Sequence, residues 1–346
     1  MKTKGMTFFI ILATFFSLGM GPRIDEGKKS EPLFWPPPPH EAKIEFLYTV
    51  SKPDDMQIKK GFFQKLKEFI IGEENETLIR PFGIAVDDTG KLYVTDRANS
   101  SVNIFDPKEG KFSAIEGVGS KRFESPLGVA VDADGNLYIS DSVLRRVYVF
   151  NGKGALIGEI GSEKVLQRPA GIAIDKKARL LYVIDVLESK IHVYGLDGRY
   201  QKAIGAFGDG DAQFNRPTSM TIGNDGNLYI VDAMNSRIQV LDKNGKFISQ
   251  FGKRGDVSGS FANPRGIALD SDGNIYVTDT LFEVVQIFDR TGRLLLVLGQ
   301  RGTSAGEFSI PAGVAVSNDD IIYVADSYNQ RIQVFKYLKA GSKKNK

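Results

Sequence analysis

Residues 217–252, PTSMTIGNDGNLYIVDAMNSRIQVLDKNGKFISQFG, decide the fold. Four short stretches rich in β-branched and aromatic residues stand in this segment: Thr218 to Ile222, Asn227 to Val231, Arg237 to Leu241 and Lys246 to Phe251. Asn224-Asp225-Gly226 and Lys243-Asn244-Gly245 separate them and carry the turn residues that tight hairpins demand. The spacing predicts a four-stranded antiparallel meander. One such sheet cannot bury both of its faces, so similar units must pack face to face around an axis.

The unit recurs along the chain. Tyrosine stands at Tyr93, Tyr138, Tyr182, Tyr229, Tyr276 and Tyr323, and an aspartate follows three residues after each, at Asp96, Asp141, Asp185, Asp232, Asp279 and Asp326. Upstream of each tyrosine is a proline, at Pro81, Pro126, Pro169, Pro217, Pro264 and Pro311. Three residues before each proline is an apolar side chain, at Leu78, Phe123, Leu166, Phe214, Phe261 and Phe308. Four features in six registers predict six blades. The sixth unit runs out after Gln330 to Lys336, and a β-rich stretch before the first unit, Lys43 to Val50, supplies the missing strand. Joining both ends in one blade closes the ring and removes an open edge. The expectation is therefore an all-β, six-bladed β-propeller of four-stranded antiparallel blades over residues 43–338, with repeats from about 78 to 336. Asp54 to Gly72 has the apolar spacing of one short rim helix before blade one.

Several stretches resemble the NHL repeat family: Phe261 to Asp270 (FANPRGIALD), Gly273 to Asp279 (GNIYVTD) and Asn329 to Phe335 (NQRIQVF). The resemblance runs from about Leu78 to Phe335. It implies the propeller fold and leaves activity open, because the family includes RNA-binding modules, sensor ectodomains and a few lyases.

Composition narrows the chemistry. The chain has no cysteine and two histidines, His40 and His192, which excludes disulfides, thiolate metal sites and cysteine nucleophiles and leaves little for imidazole catalysis. Its formal charge of +3 comes from the ends: apart from Lys2, Lys4, Lys339, Lys343, Lys344 and Lys346, 39 basic residues face 42 acidic ones. That balance argues against a nucleic-acid partner, which needs a concentrated basic face. Lys2 and Lys4 precede an uncharged apolar stretch, Met6 to Met20, and Ser17-Leu18-Gly19 offers a small-x-small cleavage site. Residues 1–21 therefore read as an export signal or N-terminal anchor, which implies a periplasmic, cell-envelope or extracellular protein. Residues 22–42, with Trp35 and the run Pro36 to Pro39, read as a stiff Pro-rich linker, and 339–346 as a basic tail.

Candidate chemical motifs resolve mostly into structure. Asp132 to Asn136 and Asp270 to Asn274 open like calcium loops, but Val143 and Leu281 stand where the twelfth-position carboxylate belongs, so both read as hairpin turns. The six aspartates after the tyrosines form a ring, and their presence in every unit points to a repeated structural task. They would accept hydrogen bonds from backbone, or from Arg146, Lys190, Arg237 or Arg331. His192 replaces the Asn103, Tyr148, Gln239, Gln286 or Gln333 of other units and reads as a polar strand residue. Gly208-Asp209-Gly210 and Gly299 to Gly302 lack a following Lys-Ser pair and read as blade connections rather than phosphate cradles. No cofactor or metal is implied.

One pattern is left over. The second residue after each ring aspartate is Ala98, Val143, Leu187, Met234, Leu281 or Tyr328, in the loop joining strands two and three. Loops between blades emerge on the same face and bring Arg80, Arg168, Arg216 and Arg265. An apolar collar with nearby arginines is a docking surface for a protein or peptide, or for a glycan. The reading is a monomeric, non-catalytic binding platform with candidate residues Val143, Leu187, Met234, Leu281, Tyr328, Arg168, Arg216 and Arg265. The alternative is a metal-dependent hydrolase or lyase built on the aspartate ring.

Overall fold

The protein is described by a computed structural model covering residues 32–58 and 76–339. Six antiparallel blades form in chain order, and strand pairing within each follows the meander expected from the turn spacing. In blade four the strands are Met220–Ile222, Leu228–Asp232, Arg237–Leu241 and Phe247–Phe251. Ile44–Val50 pairs antiparallel with Arg331–Tyr337, from Ile44 opposite Tyr337 to Val50 opposite Ile332, and completes blade six.

The apolar core is divided into six clusters, one at each blade interface. Phe123, for example, packs with Tyr148 and Phe150 of its own blade and Val102 of blade one. The six apolar residues upstream of the prolines are all nearly or fully buried, as are the six repeat tyrosines. Burying such side chains contributes roughly 1.5–3 kcal/mol each, so the repeated sequence positions are the ones that hold neighbouring blades together. Four of the tyrosine hydroxyls donate to the first aspartate of the hairpin turn below: Tyr93 to Asp87, Tyr138 to Asp132, Tyr229 to Asp225 and Tyr276 to Asp270.

Inner strands crowd around the axis, and glycine is what lets them approach. A Cβ on Gly83, Gly128, Gly171, Gly266 or Gly313 would lie 2.1–2.7 Å from a backbone oxygen of the next blade. Blade four has Ser219 at this position, and its inner strand shortens to Met220–Ile222, where the others start at the proline. Ser140 and Thr278 donate across the same seam, to the carbonyls of Ala170 and Ala312.

The N-terminal segments differ from expectation. Phe34–Trp35 adds a fifth strand outside Ile44–Val50, instead of extending as a free polyproline tether. The Trp35 ring meets Phe335 edge-on at 5.7 Å and fills the space above Gly306, so partial burial of the indole holds this segment on blade six. Most of the helix expected over 54–72 lies outside the described residues. The part within them, Pro53–Met56, is a single 3-10 turn in which the Asp55 carboxylate accepts from the Ser51 and Lys52 amides. The export segment 1–21 and the tail from 340 onward also lie outside the described residues. No helix among the described residues is long and apolar enough to cross a membrane.

Candidate functional site

The aspartate ring is built into the backbone on one face of the propeller. In blade two, Asp141 is fully buried and its carboxylate accepts four amide hydrogen bonds: from Glu124 (2.8 Å) and Ser125 (3.0 Å) before the inner strand, and from Val143 (3.0 Å) and Leu144 (3.0 Å) in the loop after the second strand. Asp96, Asp185 and Asp279 repeat this arrangement. In blades four and six each aspartate keeps one amide, from Asn215 or Ser309 (2.7 Å each), and side chains supply the rest. Asp232 binds the Asn235 amide and Arg237 Nε (2.8 Å each), and Asp326 binds Asn329 (2.9 Å) and Arg331 Nε (2.7 Å). Arg146 and Lys190, also expected on the ring, pair instead with Glu159 and Glu188, because backbone amides already occupy Asp141 and Asp185.

This anchoring explains the collar. Each aspartate holds down the loop between strands two and three, which ends on a residue with positive φ: Ser100, Arg145, Ser189, Ser236, Glu283 or Gln330. The side chain two residues after the aspartate is then left at the loop tip. Val143, Leu187, Met234, Leu281 and Tyr328 are 54–68 % exposed, so they project from the face rather than folding onto neighbouring blades.

The arginines divide into two groups. Arg80, Arg168 and Arg216 are exposed, in loops before inner strands, and Arg97 is exposed after its ring aspartate. Arg265, expected in such a loop, is instead the second residue of the inner strand Pro264–Leu269. It reaches across the channel mouth to blade one, where its guanidinium lies 5.5 Å from the centre of the Phe82 ring. Arg97 approaches the same ring at 5.1 Å, and Arg80 stacks on Tyr328 at 5.2 Å. Arg97 was not legible as a site residue from the repeat pattern. The signal was its position directly after a ring aspartate, where the other units have serine, valine, alanine or threonine. Below the mouth the six inner strands enclose a channel of about 280 Å³, in which Arg265 is the one charged side chain among the lining residues. No cluster of metal-ligating side chains occurs among the described residues.

His192 is buried, with Nε2 3.4 Å from Glu188, and burial lowers its pKa. In blades four to six the glutamine at this position bridges the backbone of the loop entering its blade, as Gln239 does with Ala212 and Gln213. His192 makes no such bridge. The glycine-rich connections are occupied by their own chain, with Arg237 donating to the Gly210 carbonyl and Asn329 to that of Gly302. The two calcium-like loops close on themselves as turns, the first residue of each, Asp132 or Asp270, accepting amides of its own turn.

Comparison with known families agrees with this architecture. NHL repeat models match residues 78–105 and 308–335, and the family DUF5128, described as a 6-bladed beta-propeller, matches 128–205, 165–239 and 211–281. The chain belongs to the NHL-repeat six-bladed β-propellers. Solved structures with the same fold include a protein from Bacteroides thetaiotaomicron (18% identity, TM-score 0.61, 76% of this chain and 70% of that one). Virginiamycin B lyase from Staphylococcus aureus aligns at 15% identity with a TM-score of 0.55, over 75% of this chain and 96% of that one. Hydrazine synthase from Kuenenia stuttgartiensis aligns at 16% identity with a TM-score of 0.54, over 77% and 97%. At such identities the likeness is one of fold. No curated protein matches the chain in sequence.

Proposed function

We propose that this propeller is a non-catalytic binding platform of the cell envelope or extracellular space, which presents its aspartate-ring face to a protein, peptide or glycan. The observation that carries the reading is the collar: five large apolar side chains, each more than half exposed, stand at equivalent loop tips around one face. Loops fixed at both ends present such side chains at little entropic cost, which favours their use as binding anchors. The apolar stretch behind Lys2 and Lys4 supports export. The alternative, a metal-dependent hydrolase or lyase, would draw on carboxylates whose lone pairs already accept amide, asparagine or arginine donors.

The test is a photocrosslinking amino acid placed at Met234 or Tyr328, compared with one at Ile248 on an outer strand, in the protein's own cells. Crosslinks to a defined partner from the two loop tips alone are expected. They should disappear when Leu187, Met234, Leu281 and Tyr328 are replaced together by serine, with the melting temperature unchanged. Equal labelling from Ile248 would overturn the site.

A further inference from the structure

Three positions in each blade border the channel mouth: the residues before and after the recurring proline, and the residue after the ring aspartate. Across six blades these positions hold five arginines, Arg80, Arg97, Arg168, Arg216 and Arg265, and neither aspartate nor glutamate. Farther out the blade connections mix signs, Glu124, Asp209 and Asp256 standing among Arg122, Lys164 and Lys253. The positive surplus is confined to the mouth.

Four of these arginines act on one another. Arg80 and Arg97 come from blade one, Arg168 from blade three and Arg265 from blade five, so alternate blades supply charge from three sides. None of the four has an ion pair among the described residues, although the face carries carboxylates that pair elsewhere, such as Glu283 with Arg301. Arg97 and Arg265 share the Phe82 ring, and Nε of Arg265 is fully buried without a hydrogen-bond partner. Arg97 is exposed and only partly desolvated, which with Arg80 and Arg168 nearby lowers its pKa, and partial burial together with Arg97 lowers that of Arg265. Two like charges beside one ring and an orphaned buried N–H are a cost that a bound anion would offset.

We propose that the mouth is a receptor for a single oxyanion, the carboxylate or phosphate of a ligand, held between Arg97 and Arg265 with Arg80 and Arg168 around it. The remainder of the ligand lies on the apolar collar, and that part of the assignment rests on the loop-face reading above. A point receptor fits the geometry better than a track for a polyanion, because Arg97 and Arg265 meet at one ring instead of lining a path. The neighbouring segment 59–75 is a poor internal occupant, since Lys59, Lys60, Lys65 and Lys67 outnumber Glu68, Glu73 and Glu74.

The test titrates the full-length protein with sodium phosphate and, separately, sodium acetate against sodium chloride at constant ionic strength, followed by calorimetry and melting temperature. Saturable one-to-one binding of either oxyanion is expected, and the stronger of the two identifies the ligand group. Arg97→Gln and Arg265→Met should each weaken it about 10- to 100-fold, the loss of one or two charge-assisted hydrogen bonds. Without added oxyanion, both variants should melt at or above wild type, because repulsion is relieved. Lys153→Gln, in the exposed outer turn of blade two, should bind within about 2-fold of wild type, since it removes a positive charge away from the mouth. The four-serine collar variant should keep oxyanion binding, so a failed collar and a failed receptor are distinguishable. Wild type that treats phosphate and acetate like chloride would overturn the proposal. So would a single-stranded oligonucleotide that binds more tightly than phosphate with a steep salt dependence.

Discussion

Replacing Asp141 with asparagine tests whether the aspartate ring is a structural brace or a metal funnel. The asparagine oxygen can keep one pair of amide bonds, either Glu124 and Ser125 or Val143 and Leu144, while its NH₂ group faces the other pair donor to donor. Two hydrogen bonds to a charged acceptor are lost in a fully buried site. At about 1.5–3 kcal/mol each, the cost is about 3–6 kcal/mol. With an unfolding entropy of about 2.1 cal/mol/K per residue over a propeller of about 300 residues, the melting temperature should fall by about 5–10 °C. The assay is thermal unfolding by circular dichroism with and without EDTA. Wild type should be indifferent to the chelator, because the ring carboxylates already have their donors. A D141N protein that melts within a degree of wild type would refute the brace. A wild type that loses several degrees in EDTA would show that the ring, or another site, holds metal.

Other positions give independent checks. Gly128→Ala would place a Cβ 2.3 Å from the Ala170 carbonyl oxygen, so overpacking should cost about 1–3 kcal/mol, read as a lower denaturation midpoint in urea. An unchanged midpoint would mean that the blade seam yields. His192 is held below its ordinary pKa by burial, so its contribution is complete above pH 6.5 and is lost as pH falls below that value. His192→Gln should flatten the fall in melting temperature between pH 7 and 5, and an identical slope in the variant would count against the histidine. At the exposed turn of blade five, hydrogen bonds from the Thr291 hydroxyl, the Arg293 and Thr291 amides and the Arg293 side chain bring the Asp289 pKa down to about 2. Its depressed value means that the turn is intact above the ordinary carboxylate range and is released as pH falls toward 2. A carboxyl NMR titration should show this, with Thr291→Ala moving the midpoint upward; a wild-type midpoint near 3.8 would contradict the turn geometry.

The fold was legible because each blade repeats the same physical requirements. A buried aromatic or leucine before the proline, a buried tyrosine and a ring aspartate recur at fixed spacing, since every blade interface needs the same wedge and every loop the same brace. Closure by Lys43 to Val50 followed from counting strands. What escaped the pattern depended on contacts far apart in sequence. Trp35 sits in a run of prolines that reads as a tether, and only the Phe335 ring and the bare Gly306 backbone give it a place to pack. Arg265 occupies a position next to a proline that looks like a loop, and its reach to Phe82 crosses the neighbouring blade.

In a repeat protein the positions that keep their residue type in every unit are committed to folding, so binding chemistry must be written in positions that vary while geometry places them together. The residue after each ring aspartate is such a position: Arg97, Ser142, Val186, Ala233, Thr280 and Ser327 share one backbone environment and differ in side chain. Two of the smaller ones are structural, since Thr280 and Ser327 donate to the Pro311 and Pro81 carbonyls across the blade seam. Arg97 cannot serve that purpose with a guanidinium turned toward Phe82, and it stands in the same blade as Arg80, where a second positive charge is least welcome. Val186 and Ala233 forgo that hydrogen bond as well, so what sets Arg97 apart is the positive charge it adds beside Arg80 and Arg168. A negative group bound at the mouth, as proposed above, would offset that charge.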